Sequence, residues 1–369
     1  MRVRRLLLSN FRNHPSLAVA PSAGLVALVG ANGAGKTNIL EALSLLSPGR
    51  GLRGVGADAV VKQGEHQASV SAQLVDDRGA LPPVELGTAF DRAEPGRRRV
   101  RINGADQAAT RLGDWLAVSW LTPAMDRLFS ESAGARRRWL DRLTLALAPA
   151  HASHANRYEA AMRARNRLLA DTRTPDPAWL NALEAQMGEH GAAIAAARAD
   201  SVAALDLALA GAGAGGFPAA AIALVGADDG PARHWTREDL QTALRESRAL
   251  DGRAGRALVG PHRDDVLVRH RERDMPASQC STGEQKALLI HLTLAHAERV
   301  AAARGEAPLL LLDEVAAHLD PERRAALFAR LAALDAQCWL TGTEPALFDA
   351  PTPIELWEIA SGRAEPMLK

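Results

Sequence analysis

The chain has 369 residues, 47% of them hydrophobic and 24% charged, a balance that fits a globular protein with a substantial core and room for two or three domains. Its formal charge of +1 excludes a global basic field, though not a local basic patch. No apolar run is long enough to span a bilayer, and the two cysteines, Cys280 and Cys338, make neither a disulfide framework nor a zinc site by themselves, so a cytoplasmic location is expected.

The opening, MRVRRLLLSNFRNHP, starts as a signal peptide does, but its apolar run from Leu6 to Leu8 is too short for one. Short apolar runs at 2–8, 17–19 and 25–29 predict strands, and TNILEALSLL at 37–46 has helical spacing. More strands are expected over 58–104, with turns at Asp77-Arg78-Gly79, Pro82-Pro83 and Asn103-Gly104. From about 126 to 250 alanine, leucine and arginine dominate with long helical periodicity. A glycine-rich break at 211–216 and a short strand, AAIALV, interrupt that block, and from 251 an alternation of strands and helices returns. The expected fold class is α/β, with a mainly α-helical insertion.

The strongest motif is Gly30-Ala31-Asn32-Gly33-Ala34-Gly35-Lys36-Thr37, followed by Asn38. It fits the phosphate loop G-x-x-x-x-G-K-[ST] and has an expected strand before it and a helix after it. Glycines let successive N–H groups turn inward around phosphates, and the following helix adds its positive end. Lys36 would reach the β- and γ-phosphates of a nucleotide, and Thr37 would hold Mg2+. The second motif is Leu309 to Glu314, LLLLDE: a buried parallel strand ending in two acids. Asp313 would hold Mg2+ through water and Glu314 would orient or polarise attacking water, giving Lys36 and Glu314 catalytic roles and Thr37 and Asp313 metal roles. Most of the chain separates the two motifs, so the helical block is inserted within one nucleotide domain. The third motif is Ser281-Thr282-Gly283-Glu284-Gln285, a capping box at the start of an amphipathic helix and thus an anion-ready helix end. In the fourth, Asp320 reads as an N-cap and Pro321 as the first residue of a helix.

Ser281 to Gln285, shortly before the acid pair, resembles the signature loop of ABC-type ATPases. That resemblance implies a head built from both chain ends, at 1–120 and 251–369, with a helical arm at 121–250. It also implies a composite site, in which Ser281, Thr282, Gly283, Glu284 and Gln285 of one copy close on ATP held by the other. The insertion is too short for the coiled coil of chromosome-structuring relatives and has no C-x-x-C hook. LLLSNFRNHPSL, LTPAMDRLFSESAGARRRWLDRL, YEAAMRARNRLL and VGPHRDDVLV are similar to segments of the RecF family, in the SMC-like branch. This resemblance implies an ATP-dependent homodimer that clamps DNA at single-strand/double-strand junctions of gaps. It further implies work with RecR and RecO in loading RecA, with slow, DNA-stimulated ATP hydrolysis releasing the clamp. Two departures stand out. Thr341-Gly342-Thr343 occupies the place where many ABC-type enzymes have a histidine, with Thr343 a candidate substitute, and 121–126 holds no lid glutamine.

DNA contacts have three candidate clusters: Arg97-Arg98-Arg99 with Arg101; Arg136-Arg137-Arg138, the preferred one; and Arg163, Arg165 and Arg167. Only four of the 44 basic residues are lysine, so each cluster reads more readily as a solvated face in an arginine-biased chain. Arg12 and Asn13 are expected near the phosphate loop. His262, Arg263, Asp264 and Asp265 admit a metal site but read better as structural ion pairs. A transport ATPase subunit and a scaffold with structural ATP are the alternative functions.

Overall fold

The computed structural model describes residues 1–171, 176–211, 215–228 and 230–367. Part of the expected glycine-rich break, 212–214, lies outside the described residues. In chain order the regular elements are β1 (Arg2–Phe11), β2 (His14–Val19), β3 (Leu25–Val29), α1 (Lys36–Ser44), β4 (Gln67–Val75), β5 (Val84–Asp91), β6 (Arg98–Ile102), β7 (Ala105–Gln107) and β8 (Val118–Leu121). There follow α2 (Ala133–Leu147), α3 (His151–Ala170), α4 (Pro177–Gly211), β9 (Ala220–Val225), α5 (Arg237–Glu246), α6 (Arg248–Ala254), β10 (Asp265–His270) and β11 (Met275–Pro276). The chain then forms α7 (Thr282–Arg304), β12 (Leu309–Leu312), α8 (Pro321–Ala333), β13 (Cys338–Gly342), β14 (Glu355–Ala360) and β15 (Arg363–Pro366).

Two compact units result. The first is chiefly Met1–Asp126 with Leu289–Lys369, and the second is Arg127–Gly213 with Pro218–Leu288. The first unit is thus made from both chain ends. The inner boundary differs from the expected one at 250: residues 251–288 group with the helices, and the division falls inside α7. The reason is pairing. β10 takes both β9 and β11 as antiparallel neighbours, so the segment after 250 completes a small sheet begun at Ala220.

The first unit holds two six-stranded sheets. One has the order β2-β1-β4-β5-β6-β7, antiparallel throughout. Its strands alternate buried and exposed positions, as in β4 with Ala68, Val70, Ala72 and Leu74 inward, which is what one covered face requires. The other has the order β15-β14-β3-β13-β12-β8 and is parallel except at β15. Here β3, β8, β12 and β13 are buried along their whole length, and their near-continuous apolar runs follow from covering on both faces. A single apolar cluster joins Leu6, Leu8 and Phe11 of β1, Ile39, Leu40 and Leu43 of α1, and Val26, Leu28, Leu309, Leu311 and Trp339 of the parallel sheet. The result is a layered core with α1 enclosed by it.

In the second unit α4 is 35 residues long. Its two interior glycines are packing choices: a Cβ on Gly188 would meet the Arg237 carbonyl oxygen at 2.7 Å, and one on Gly191 would meet Leu240 at 2.5 Å and Tyr158 at 2.8 Å. Each glycine costs about 1 kcal/mol of helix propensity and allows α3, α4 and α5 to close on Tyr158, Met187, Ile194, Leu240 and Leu244.

Candidate nucleotide site

Strands β3, β12 and β13 run parallel, so their C-terminal ends meet at one sheet edge, the usual place for a ligand in such sheets. Each end delivers a piece of the site. β3 delivers the phosphate loop. A Cβ at Gly30 would lie 2.3 Å from the Ile359 carbonyl oxygen, so only glycine fits. Gly33 and Gly35 have φ of +82° and +104°, a region that favours glycine. Gly35 is the N-cap of α1 and no side chain caps the helix, so the N–H groups of Lys36 and Thr37 meet no capping side chain at an end that attracts anions.

Lys36 folds back over the loop, its ammonium donating to the carbonyls of Gly30 (2.7 Å) and Ala31 (2.9 Å). Burial lowers its pKa against the pull of Glu314 and Asp313. β12 delivers Asp313 and Glu314. Thr37 donates its hydroxyl to Asp313 Oδ1 at 2.9 Å and Oδ2 at 3.1 Å, and Thr341, from the end of β13, donates to Oδ1 at 2.8 Å. The Glu314 N–H donates back to Thr341 Oγ1 at 2.9 Å. Glu314 has φ of +53°, an uncommon conformation for a residue with a side chain. The Thr37 hydroxyl and the Asp313 carboxylate form a hard two-oxygen donor set, which suits Mg2+ completed by waters and phosphate oxygens. Among the described residues no group of three or more His, Cys, Asp or Glu could hold a metal.

The turn between β1 and β2 packs under the loop. Asn13 donates to the Ala34 carbonyl (3.3 Å) and accepts from Asn38 (2.6 Å), while His14 Nε2 lies 3.2 Å from the Gly35 carbonyl oxygen. Burial lowers the His14 pKa, against the carbonyls of Gly35 and Gly362. Arg12 clasps Glu41 of α1 with Nε and Nη2, at 2.9 and 2.6 Å, and Arg53 joins the same carboxylate at 3.1 Å. Arg12, Asn13, Asn38, Arg53, Lys62 and Gln63 line an open cleft of about 670 Å³. Glu41 and Thr341 were not singled out from sequence. A charge such as Glu41, inside the apolar run ILEALSLL, is a signal, since buried carboxylates need partners. Thr341 carries no such mark. Thr343, the proposed substitute for histidine, is exposed, and it is Thr341 that turns toward Asp313.

Ser281 to Gln285 lie in the second unit. The capping box is formed: the Ser281 N–H and hydroxyl donate to Glu284 Oε2 at 3.0 and 2.8 Å, and the Glu284 N–H points back at Ser281 Oγ at 3.4 Å. The Ser281 contacts hold the Glu284 carboxyl below its usual range, helped by Arg273 at 2.6 Å. Gln285 turns inward to the Cys280 carbonyl, and Ser281, Thr282 and Gly283 stay exposed. Asp320 caps α8 by accepting from the Arg323 N–H at 2.8 Å.

The arginine clusters divide sharply. Arg98 is held by the carbonyls of Leu45, Ser47 and Gly49 just past the end of α1, and burial lowers its pKa to about 10. Arg165 is fully buried on Glu184, Asp251 and the Leu244 carbonyl. Arg165 is thus shut off from any DNA, a correction to its place in the third cluster, and the Arg98 guanidinium is occupied by the chain's own carbonyls. Arg136 forks onto Asp265 and Arg137 donates to the Asp264 carbonyl, whereas Arg138 is exposed. His262 joins Tyr158 (2.8 Å) to the Ala257 carbonyl (3.0 Å).

Residues 2–350 match the RecF/RecN/SMC N-terminal domain family. A curated relative from Mesorhizobium japonicum, called DNA replication and repair protein RecF, is 49% identical over 94% of this chain and 93% of its own length. The chain belongs to the RecF family. Another RecF, from Caulobacter vibrioides, is 47% identical over 93% of this chain and 92% of its own. Among solved structures, one described as the recombination mediator protein RecF-ATP in the RecFOR pathway has a TM-score of 0.82 at 22% identity, covering 99% of both chains. The Smc head domain of Pyrococcus furiosus, bound to a ScpA domain, has a TM-score of 0.55 at 16% identity, covering 99% of this chain and 95% of that one. The fold is thus that of RecF and the SMC heads, an ABC-type ATPase fold. No helix among the described residues is long and apolar enough to cross a membrane.

Proposed function

We propose that this RecF-family chain is an ATP-dependent DNA-binding protein of replication and recombinational gap repair. Residues 30–38 cradle the nucleotide phosphates, Lys36 neutralises the β- and γ-oxygens, Thr37 and Asp313 hold Mg2+, and Glu314 polarises the attacking water. Lys36 would leave the Gly30 and Ala31 carbonyls for phosphate oxygens, a better-matched, charge-assisted partner. Ser281 to Gln285 of a second copy close on the same nucleotide, with Ser281, Thr282 and Gly283 their exposed face, so that ATP joins two molecules and slow hydrolysis parts them. The dimer binds single-strand/double-strand junctions, with Arg138 the most available arginine of its cluster and Arg136 and Arg137 behind it. RecR is the immediate partner, with RecO and RecA downstream, in the cytoplasm. The observation that carries this reading is Thr37 hydrogen-bonded to Asp313 beside an uncapped phosphate loop.

The test is binding to gapped duplex DNA at fixed salt, with and without Mg-ATP, with particle size followed in parallel. ATP should tighten binding and produce dimers. Lys36→Met should abolish both effects, and Glu314→Gln should accumulate the ATP dimer on DNA with turnover lowered at least a hundredfold. DNA affinity indifferent to ATP would favour the transport or scaffold alternatives.

A further inference from the structure

A phosphate loop works only if its N–H groups face inward, and a peptide whose N–H faces inward directs its carbonyl outward. The outward carbonyls then need donors. The carbonyls of Gly30 and Ala31 are taken by Lys36, which the proposed reading gives to phosphate when nucleotide is present. That of Ala34 accepts from Asn13, and that of Gly35, which already accepts the Asn38 and Ile39 N–H groups of α1, also lies against His14 Nε2; neither Asn13 nor His14 belongs to the loop. A Cβ on Gly35 would meet His14 Nε2 at 2.5 Å and Asn13 Nδ2 at 2.6 Å, so the turn sits directly against the loop backbone. A carbonyl can only accept, so the Gly35 contact requires the His14 proton on Nε2. Its ring is fully buried, and the two-residue turn is tied to α1 by Arg12 on Glu41 and by Asn13 on Asn38.

We propose that His14 and Asn13 are positioning residues that clamp the last two outward carbonyls of the phosphate loop and so preset its N–H groups for phosphate. The idea rests on the nucleotide reading above and adds a determinant of affinity outside the phosphate motif. Without the clamp, the Ala34 peptide loses the side chain that fixes its direction and the Gly35 carbonyl keeps only the Asn38 and Ile39 N–H groups, so nucleotide must order this corner of the loop on binding.

Equilibrium binding of Mg-ATP to the full-length protein tests it. His14→Leu fills the buried space without a donor, and His14→Gln restores an N–H near the Nε2 position. The Kd should rise about five- to tenfold in His14→Leu, the worth of one hydrogen bond, and stay within about twofold of wild type in His14→Gln. Asn13→Asp keeps an acceptor for Asn38 but no donor for Ala34. It lies on the surface, should show a similar loss, and serves if His14→Leu fails to fold. Wild-type affinity in His14→Leu and Asn13→Asp, or an equal loss in the Leu and Gln variants, would overturn the clamp. Lys36→Ala separates the two ideas: if it binds Mg-ATP as wild type does, the nucleotide reading fails, and if it alone loses binding, only the clamp fails.

Discussion

Asp264 is the buried acid with the clearest consequence. It is 5% exposed, and Oδ2 has no hydrogen-bond partner. Burial raises its pKa to about 6, against the pull of Arg198 and Arg137. The native state therefore holds a proton where the unfolded chain has already lost it. The stability due to this group is complete below about pH 4 and is lost as pH rises through about 6. Asp264→Asn should remove that dependence, leaving the variant more stable than wild type by up to about 3 kcal/mol above pH 7 and equal to it near pH 4, as measured by urea denaturation across pH. Asp141 runs the other way. Burial works against its carboxylate, but contacts from His151 and Arg198 outweigh it and bring the pKa to about 2, so its contribution is present above about pH 4 and is lost as pH falls toward 2. At this scale the sequence was most legible where chemistry fixes spacing, as in Gly30 to Thr37. It was least legible at Thr341 and Glu41, whose roles come from neighbours distant in the chain.

Among the elements, α3 shows why arginine clusters misled. Arg163 and Arg167 lie on its exposed side while Arg165 points inward, joining α3 to Glu184 of α4 and Asp251 of α6. Composition cannot separate these three residues, but helical periodicity can, since Arg165 is four residues from Ala161, itself buried with Tyr158. Arg165→Ala would leave Asp251 buried without a cation, on the Ser247 hydroxyl and Leu258 N–H, and Glu184 on Arg248 alone. It should cost about 3–5 kcal/mol, measured as a shift in denaturation midpoint, whereas Arg163→Ala should change stability by less than about 0.5 kcal/mol. The caps were plainer: Ser281 with Glu284, and Asp320 before Pro321, are local arrangements that sequence alone specifies. The boundary after 250 was not, because β9 and β10 pair across intervening helices.

For the whole molecule, net charge says nothing about DNA, because exposed arginines matter and buried ones are spent on the interior. Arg138→Ala should weaken binding to gapped duplex modestly at every sequence and lower the slope of log affinity against log salt by about one. Unchanged slope would remove the helix of Arg138 from the DNA face. The wide separation of Lys36 from Asp313 goes with a unit assembled from both chain ends, since one sheet edge needs both.

That threading has a consequence for synthesis. β3 carries the phosphate loop, yet its two sheet neighbours are β13 and β14. On the ribosome the loop emerges among the first residues and stays without a sheet until Cys338–Gly342 and Glu355–Ala360 have followed. The antiparallel sheet from β1 to β7 and the middle unit have their strand partners much sooner, and such segments fold as units during translation. Nucleotide binding is then the last property the nascent chain acquires, and a prematurely terminated product would be a partly folded protein with no grip on ATP.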